Sequence, residues 1–328
     1  MRPEHSAPGR PRARTLLGGL LACALAASLL YALLFVNPKF LGYVMNLRLP
    51  RLAAIVLAAV AISAASVVFQ TIVRNRIVTP CLLGMNSLYV LIHTATAFLA
   101  GAGSLLASSP VATFLLDIAV MGAVAGLVYW KLFERTGGSV LYILLIGTVL
   151  ATLFSSIQGT LVRIMDPNDY DALLGSLVAS FTNVNATVLP IAAGLLALIA
   201  FILRRDLATL DVIALGRDAA TSLGADHRRI VMRLLIGVAL SIAVATAVVG
   251  PLSFLGLITA NIARELGKTY RHAVLIPASS LAGVTLLALG ELVVERAAHS
   301  AIPVSVFVTL AGGAYFLWLI LSSSEAHR

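Results

Sequence analysis

Nine mostly apolar runs of spanning length recur along the chain, near 16–36, 52–73, 82–100, 110–130, 140–162, 186–203, 230–250, 273–294 and 303–321. A helix rises about 1.5 Å per residue and the hydrocarbon core of a bilayer is roughly 30 Å thick, so each run is long enough to cross it. A tenth run, 251–263, is short and begins at the Gly250-Pro251 break; it can cross only where other helices shield its ends. Of 328 residues, 60% are hydrophobic and 11% charged, against about 25% charged in soluble proteins. A soluble globule is thereby excluded. So are a disordered chain, which needs low hydrophobicity, and a disulfide scaffold, which needs many cysteines where this chain has two.

Basic residues collect in cytoplasmic loops, so their placement sets the expected orientation. With ten crossings and the N-terminus inside, the inner side holds Arg2, Arg10, Arg12, Arg14, Arg74, Arg76, Lys131 and Arg135, six arginines between 204 and 233, then Arg264, Lys268, Arg271 and Arg328. That is 18, against 5 outside: Lys39, Arg48, Arg51, Arg163 and Arg296. If the short run does not cross, the split falls to 15 and 8. The expectation is therefore an all-α polytopic protein with about ten transmembrane helices and both termini cytoplasmic. It comprises a basic tail (1–15), a single transmembrane domain (16–321) with a cytoplasmic loop at 204–229, and a C-terminal tail (322–328). The net charge of +9 then serves as an orientation signal and implies membrane lipid as a partner, not nucleic acid. Leu20-Leu21-Ala22-Cys23 resembles a lipoprotein cleavage box, but the apolar run continues well past Cys23 and keeps it in a first span. Cys23 and Cys81 are expected to be small buried hydrophobes.

Several chemistries are missing from the sequence. His5, His93, His227, His272, His299 and His327 form no i, i+4 pair, so no metal cluster is expected. Gly267-Lys268-Thr269 mimics the end of a phosphate-binding loop, but Ile262 stands where that loop needs a glycine. No nucleophile and base pair suggests an intramembrane enzyme. Asp117 and Glu291 fall inside apolar runs; intramembrane carboxylates are candidates for proton paths, which keeps a proton-coupled secondary transporter as the rival class. The sequence gives neither one a facing chain of Lys, Arg or His.

Two runs carry polar stripes. Thr148, Thr152 and Ser155 share one face of the fifth, and Ser63, Ser66 and Gln70 do the same in the second. Either these hydroxyls bond back to their own backbone and let helices pack, as Gly122-x-x-x-Gly126 would, or they line a path for a large hydrated solute. In the cytoplasmic loop, Leu215, Ala219 and Leu223 recur at i, i+4 and i+8. This spacing predicts a short amphipathic helix stopped at Gly224, with Asp226 capping the next span. Such a helix suits the groove of another protein.

Together the motifs bring a family into view. Asp218-Ala219-Ala220-x-x-x-Gly224 resembles the loop by which permease subunits of ATP-binding-cassette (ABC) importers engage their ATPase. It joins Arg48-Leu49-Pro50-Arg51, Gln70 ahead of Arg74-Asn75-Arg76, Thr79-Pro80, Leu83-Gly84 and Gly250-Pro251 through Phe254-Leu255-Gly256. The chain is thus similar, from about 40 to 321, to the iron-siderophore permease family that includes the vitamin B12 permease. Phe69-Gln70-Thr71-Ile72, Met165-Asp166-Pro167-Asn168, Asn183-Val184-Asn185 and Val294-Glu295-Arg296 look like the petrobactin- and anguibactin-type branch.

The resemblance implies a non-enzymatic transport subunit in a bacterial cytoplasmic membrane. Its expected partners are a second permease, commonly a paralogue in a heterodimer with a homodimer as the alternative, two ATPase subunits, and an extracytoplasmic binding protein that delivers a ferric siderophore. No cofactor binds the chain itself; ATP binds the ATPase. Cobalamin or haem is the alternative cargo. Leu215, Asp218, Ala219, Ala220, Leu223 and Gly224 would couple to the ATPase. Arg48, Arg51 and Arg296 would dock the binding protein, although arginines at a membrane edge also snorkel. Ser63, Ser66, Gln70, Asn75, Thr148, Thr152 and Ser155 would form the path or gate, with the 136–139 turn near the inner gate. Two departures stand out: Asn75-Arg76 replaces a common Asn-Pro, and Ser63-Ala64 replaces a common Ser-Gly.

Overall fold

Each apolar run becomes a helix. The computed structural model describes residues 10–34, 39, 41–100, 109–135, 140–182, 184–297 and 303–325, and among these it contains helices, turns and no strand. The long elements are α1 (Arg10–Leu33), α2 (Leu41–Val73), α3 (Met85–Ala100), α4 (Pro110–Arg135) and α5 (Val140–Ile164). A short α6 (Pro167–Leu177) and then α7 (Leu189–Ala208) follow. Two small helices, α8 (Leu210–Ile213) and α9 (Arg217–Ser222), precede α10 (His227–Val249), α11 (Leu255–Gly267), α12 (His272–Ala297) and α13 (Val304–Glu325).

Among the described residues, six helices are long and apolar enough to cross a membrane: α1, α2, α4, α5, α10 and α12. The apolar parts of α3 and α13 are shorter. In α7 the charges Arg204, Arg205 and Asp206 interrupt the apolar run, and α11 has only 13 residues.

The boundaries depart from the sequence expectation in three places. Helix α2 starts at Leu41, well before 52, and includes Pro50; the proline costs one backbone bond, to the carbonyl of Asn46, without ending the helix. The short run is shifted to Leu255–Gly267 because 250–254 forms the turn that reverses the chain after α10. Helix α6 was not foreseen. Asp166 caps it by accepting from the Asn168 amide, and Pro167 opens its first turn, where a missing N–H costs nothing.

The core is centred on α2, with α10 and α12 packed against it. Helix α2 packs on α12, α10 and α11, α10 also packs on α4 and α7, and α1 lies along α12. Small residues let the backbones approach, as association inside a membrane requires. A Cβ on Gly283 would fall against Ser63 Oγ, and one on Gly256 would overlap Ser66 Oγ. Gly122 likewise faces Leu240, whereas Gly126 has open space around it, so only the first glycine of that pair serves close packing. Large apolar side chains cover the periphery: Leu21, Leu25 and Leu29 of α1, Val149 and Leu153 of α5, and Phe201 and Ile202 of α7 are exposed. Cys23 joins them on the exposed side of α1, while Cys81 is half-buried beside the Leu252 carbonyl. The apolar surface that Cys23 faces is one that lipid, not protein, would cover.

Contacts define two ends. The basic end gathers the last turns of α2 and α11, the first turn of α12, and α8 with α9. The far end gathers the last turns of α1 and α12 with the early part of α2, and the end of α10 with residues 179–180.

The α2–α11 contact generates a prediction. Gly256→Ala should lower the thermal midpoint of the detergent-solubilised protein, by about 1–3 kcal/mol of overpacking, and a second substitution, Ser66→Gly, should restore it. A thermal melt checks both.

Candidate functional site

At the basic end the chain builds a protruding segment between α7 and α10. It is two short helices rather than the single amphipathic one expected: α8 is followed by Leu215 and Gly216, the latter at φ 102, and then by α9. Leu215 therefore lies ahead of the helix. Leu215 (58%), Ala219 and Leu223 (66%) are nonetheless all exposed. Leu210, Ile213 and Ala220 are buried in the same core as α2 and α10. Asp218 is exposed. Gly224, at φ 83, ends the segment, and the Asp226 carboxylate accepts from the Arg229 amide to cap α10. The result is a two-sided element, fixed to the bundle by one face and offering an apolar edge with the other.

Beside this segment stands a polar chain with no local sequence signal. The Asp211 carboxylate accepts from the His272 amide at 3.0 Å and meets His272 Nδ1 at 2.5 Å. His272 Nε2 meets Thr71 Oγ1 at 2.7 Å, and Thr71 donates to the Val67 carbonyl. Nearby, Arg264 donates to Gln70, and Asn261 reaches the Arg76 carbonyl. Asn75 is exposed in the turn after α2, where its side chain accepts from the Ile77 amide.

The second polar stripe behaves differently from an open lining. Ser63 and Ser66 are fully buried at the contacts with α12 and α11, and their hydroxyls have no partner. Gln70 is buried under Arg264. The fifth-run stripe is exposed: Thr148 and Thr152 bond back to the Leu145 and Thr148 carbonyls, while Ser155 reaches Ser87 at 3.2 Å. Ser155 and Ser87, with Asn86, Gln158 and Ser253, line a cavity of about 260 Å³ between α3, α5 and the turn before α11. Its polar groups are all uncharged, and Asn86 Oδ1 is unpartnered. The 136–139 turn and Asn183 lie outside the described residues.

At the far end Arg48 is turned inward, with 5% exposure. Its guanidinium donates to the carbonyls of Tyr31, Ala32 and Leu34 and pairs with Glu295 at 2.7 Å. Pro50 and the early start of α2 account for this: residue 48 belongs to the helix, facing α1 and α12, rather than to a surface loop. Arg51 is half-buried near Tyr31 and Glu291, and Arg296 is exposed.

Asp117 also has a partner that the sequence did not reveal. It is 1% exposed, and His93 Nε2 of α3 lies 3.0 Å from its Oδ2. The expectation of no facing histidine is corrected here: α3 and α4 run antiparallel, which brings together residues 24 apart. Among the described residues no group of three or more His, Cys, Asp or Glu could hold a metal ion.

Known proteins resemble the chain in sequence and in fold. The sequence model of the FecCD transport family matches residues 15–322. The petrobactin import system permease protein YclO of Bacillus subtilis is 37% identical over 284 residues, covering 87% of this chain and 90% of that one. The petrobactin import system permease protein FatC of Bacillus anthracis is 30% identical over 285 residues, covering 87% and 80%. A solved inward-facing metal-chelate type ABC transporter shares the fold, with a TM-score of 0.81 at 23% identity, over 94% of this chain and 99% of that one.

The inward placement of Arg48 makes it a brace. Removing one member of a buried ion pair typically costs about 3–5 kcal/mol, so Arg48→Met should visibly depress the thermal midpoint in detergent. An unchanged midpoint would show that the pair carries no stability.

Proposed function

Because the chain belongs to the FecCD transport family, we infer that it is the permease subunit of an ABC importer that carries a ferric siderophore, with petrobactin-type chelates first among its cargoes. It is a multi-pass protein of the cytoplasmic membrane. The observation that carries the reading is the two-sided segment at 209–224, whose apolar edge of Leu215, Ala219 and Leu223 is exposed among the described residues. An ATPase groove is the partner we assign to it, with Asp218 and Gly224 completing the contact; Ala220, expected there too, is fully buried and instead anchors the segment to the bundle.

On this reading the basic end faces the cytoplasm, ten helices cross, and both tails are cytoplasmic. The tails are 1–15 and 322–328, and the transmembrane domain is 16–321. ATP is hydrolysed on two separate ATPase subunits. Nucleotide binding there favours one of two orientations of the permease, and the segment supplies the differential contact that any such population shift requires.

The cavity beside Ser155 supports a path along α5. At about 260 Å³ it falls below the roughly 300–1,000 Å³ of sites that enclose a drug-sized ligand. Thr148, Thr152 and Ser155 lie on an exposed face, so we assign the remaining wall to a second permease subunit, a paralogue or another copy. Iron arrives already chelated, and an uncharged lining suits such a cargo. Asn75 would stand near the cytoplasmic gate, with Ser63, Ser66 and Gln70 setting the helix contacts that the gate moves against. At the opposite face Arg51 and Arg296 would meet an extracytoplasmic binding protein, with Arg48 holding Glu295 in place behind them.

The buried Asp117–His93 pair favours the second reading, a proton-coupled carrier. That reading requires uptake to survive loss of the ATPase and to collapse with an uncoupler.

Two outcomes test the assignment. Cells carrying Asp218→Arg or Gly224→Pro should lose at least about tenfold in ferric siderophore uptake, and the ATPase should no longer co-purify; normal uptake with an intact complex would remove the coupling role. Separately, Arg51→Glu and Arg296→Glu should weaken binding-protein association at low salt and less so at high salt. Salt-independent, unchanged affinity would place docking elsewhere.

A further inference from the structure

The coupling segment must move transport helices, and its buried face shows where it grips them. Apolar contacts from Leu210, Ile213 and Ala220 hold it against the core, but such contacts are non-directional and can slide. One polar connection is directional. Asp211 of α8 bonds to both the backbone amide and the ring of His272, the first residue of α12. The other ring nitrogen meets Thr71, two residues before the end of α2. His272 is 5% exposed and Thr71 is 8% exposed, so water offers neither a ready substitute partner, whereas the Asp211 side chain is 53% exposed at the outer end of the chain. A hydroxyl both donates and accepts, which lets Thr71 hold the ring and the Val67 carbonyl together.

The helices joined in this way belong to the part of the bundle that would have to move. Helices α2 and α12 pack together along their lengths, and Ser63 meets Gly283 in the middle of that contact. Gln70, adjacent to Thr71, holds Arg264 of α11. Arg74, just past α2, lies against Gly216, where a Cβ would come within 3.0 Å of its guanidinium. Gly216, at φ 102, is also in the backbone region that favours glycine. Of the region's other ion pairs, Asp206–Arg233 also joins a buried partner to a largely exposed one, and Asp226–Arg229 lies at the surface, where such pairs contribute little.

We propose that the hydrogen-bonded chain Asp211–His272–Thr71 is the link through which displacement of the coupling segment reaches α2 and α12. This rests on the permease reading above and adds three positioning residues to it. None of the three contacts cargo. They convert movement at the ATPase into movement of a helix pair, so losing the link should separate ATP hydrolysis from transport rather than abolish either assembly or hydrolysis.

The test uses the assembled transporter, with both permease subunits and the ATPase, in proteoliposomes supplied with binding protein loaded with radiolabelled ferric petrobactin. Thr71→Val removes the hydroxyl at nearly constant volume. His272→Asn keeps a nitrogen near Nδ1 for Asp211 and loses the reach to Thr71. Both variants should retain the ATPase and hydrolyse ATP within about twofold of the unaltered complex, while chelate delivered per ATP falls about tenfold. The double variant should be no worse than either single one, since both break the same connection. Thr71→Ser should restore the ratio. An unchanged ratio in Thr71→Val, or additive losses in the double variant, overturns the proposal. Loss of the ATPase from Thr71→Val also overturns it, since the residue would then only shape the docking surface. An unaltered complex that shows no ATP-dependent uptake defeats the permease reading itself, which separates the two failures.

Discussion

Everything in the bundle depends on the contact between α2 and α12. Inside a bilayer no hydrophobic force drives helices together, so association must come from close packing and satisfied polar groups. This pair uses both. Ser63 against Gly283 brings the helices together in the middle. Arg48 with Glu295 joins them at one end, and Thr71 with His272 joins them at the other. The pair is thus held at three levels, and α1, α10 and α11 are arranged around it. A rigid pair of this kind can carry force between the two faces of the membrane, which is the requirement of an importer powered from one side.

The sequence revealed most of what depends on composition and local spacing. Apolar runs mark helices because a bilayer demands length and hydrophobicity together, and each of the ten runs falls on a helix. The two-sided segment was legible because Gly224 and Asp226 are local stop and start signals. The early start of α2 was hidden by Pro50, which usually marks a boundary, and by the polar residues around it. Helix α6 was hidden by its shortness. Long-range polar pairs were least visible. Arg48 and Glu295 are 247 residues apart, and Asp211 and His272 are 61 apart. No spacing rule joins such residues; only the packing of helices does. An isolated histidine opening an apolar run, as His272 does, is the one hint that could have been followed.

The functional picture is asymmetric. On the proposed reading the basic end offers an edge to a partner, while the exposed polar stripe of α5 and the uncharged cavity beside Ser155 would form one side of a passage. Arg48 illustrates how a motif residue can matter without making the contact first expected of it: the guanidinium stabilises the far end from inside. The Asp117–His93 pair is similar in kind. Its two groups satisfy each other across α3 and α4, and a buried pair of that sort can brace helices without conducting protons.

Whether ATP on a partner drives a chelate through this chain can be read from uptake into proteoliposomes holding the complete complex, with ATP inside and chelate-loaded binding protein outside. An ATP-driven permease will show accumulation that requires both ATP and the binding protein and is unaffected by collapsing the proton gradient. Accumulation that proceeds without ATP and stops when the gradient is collapsed would contradict ATP-driven transport.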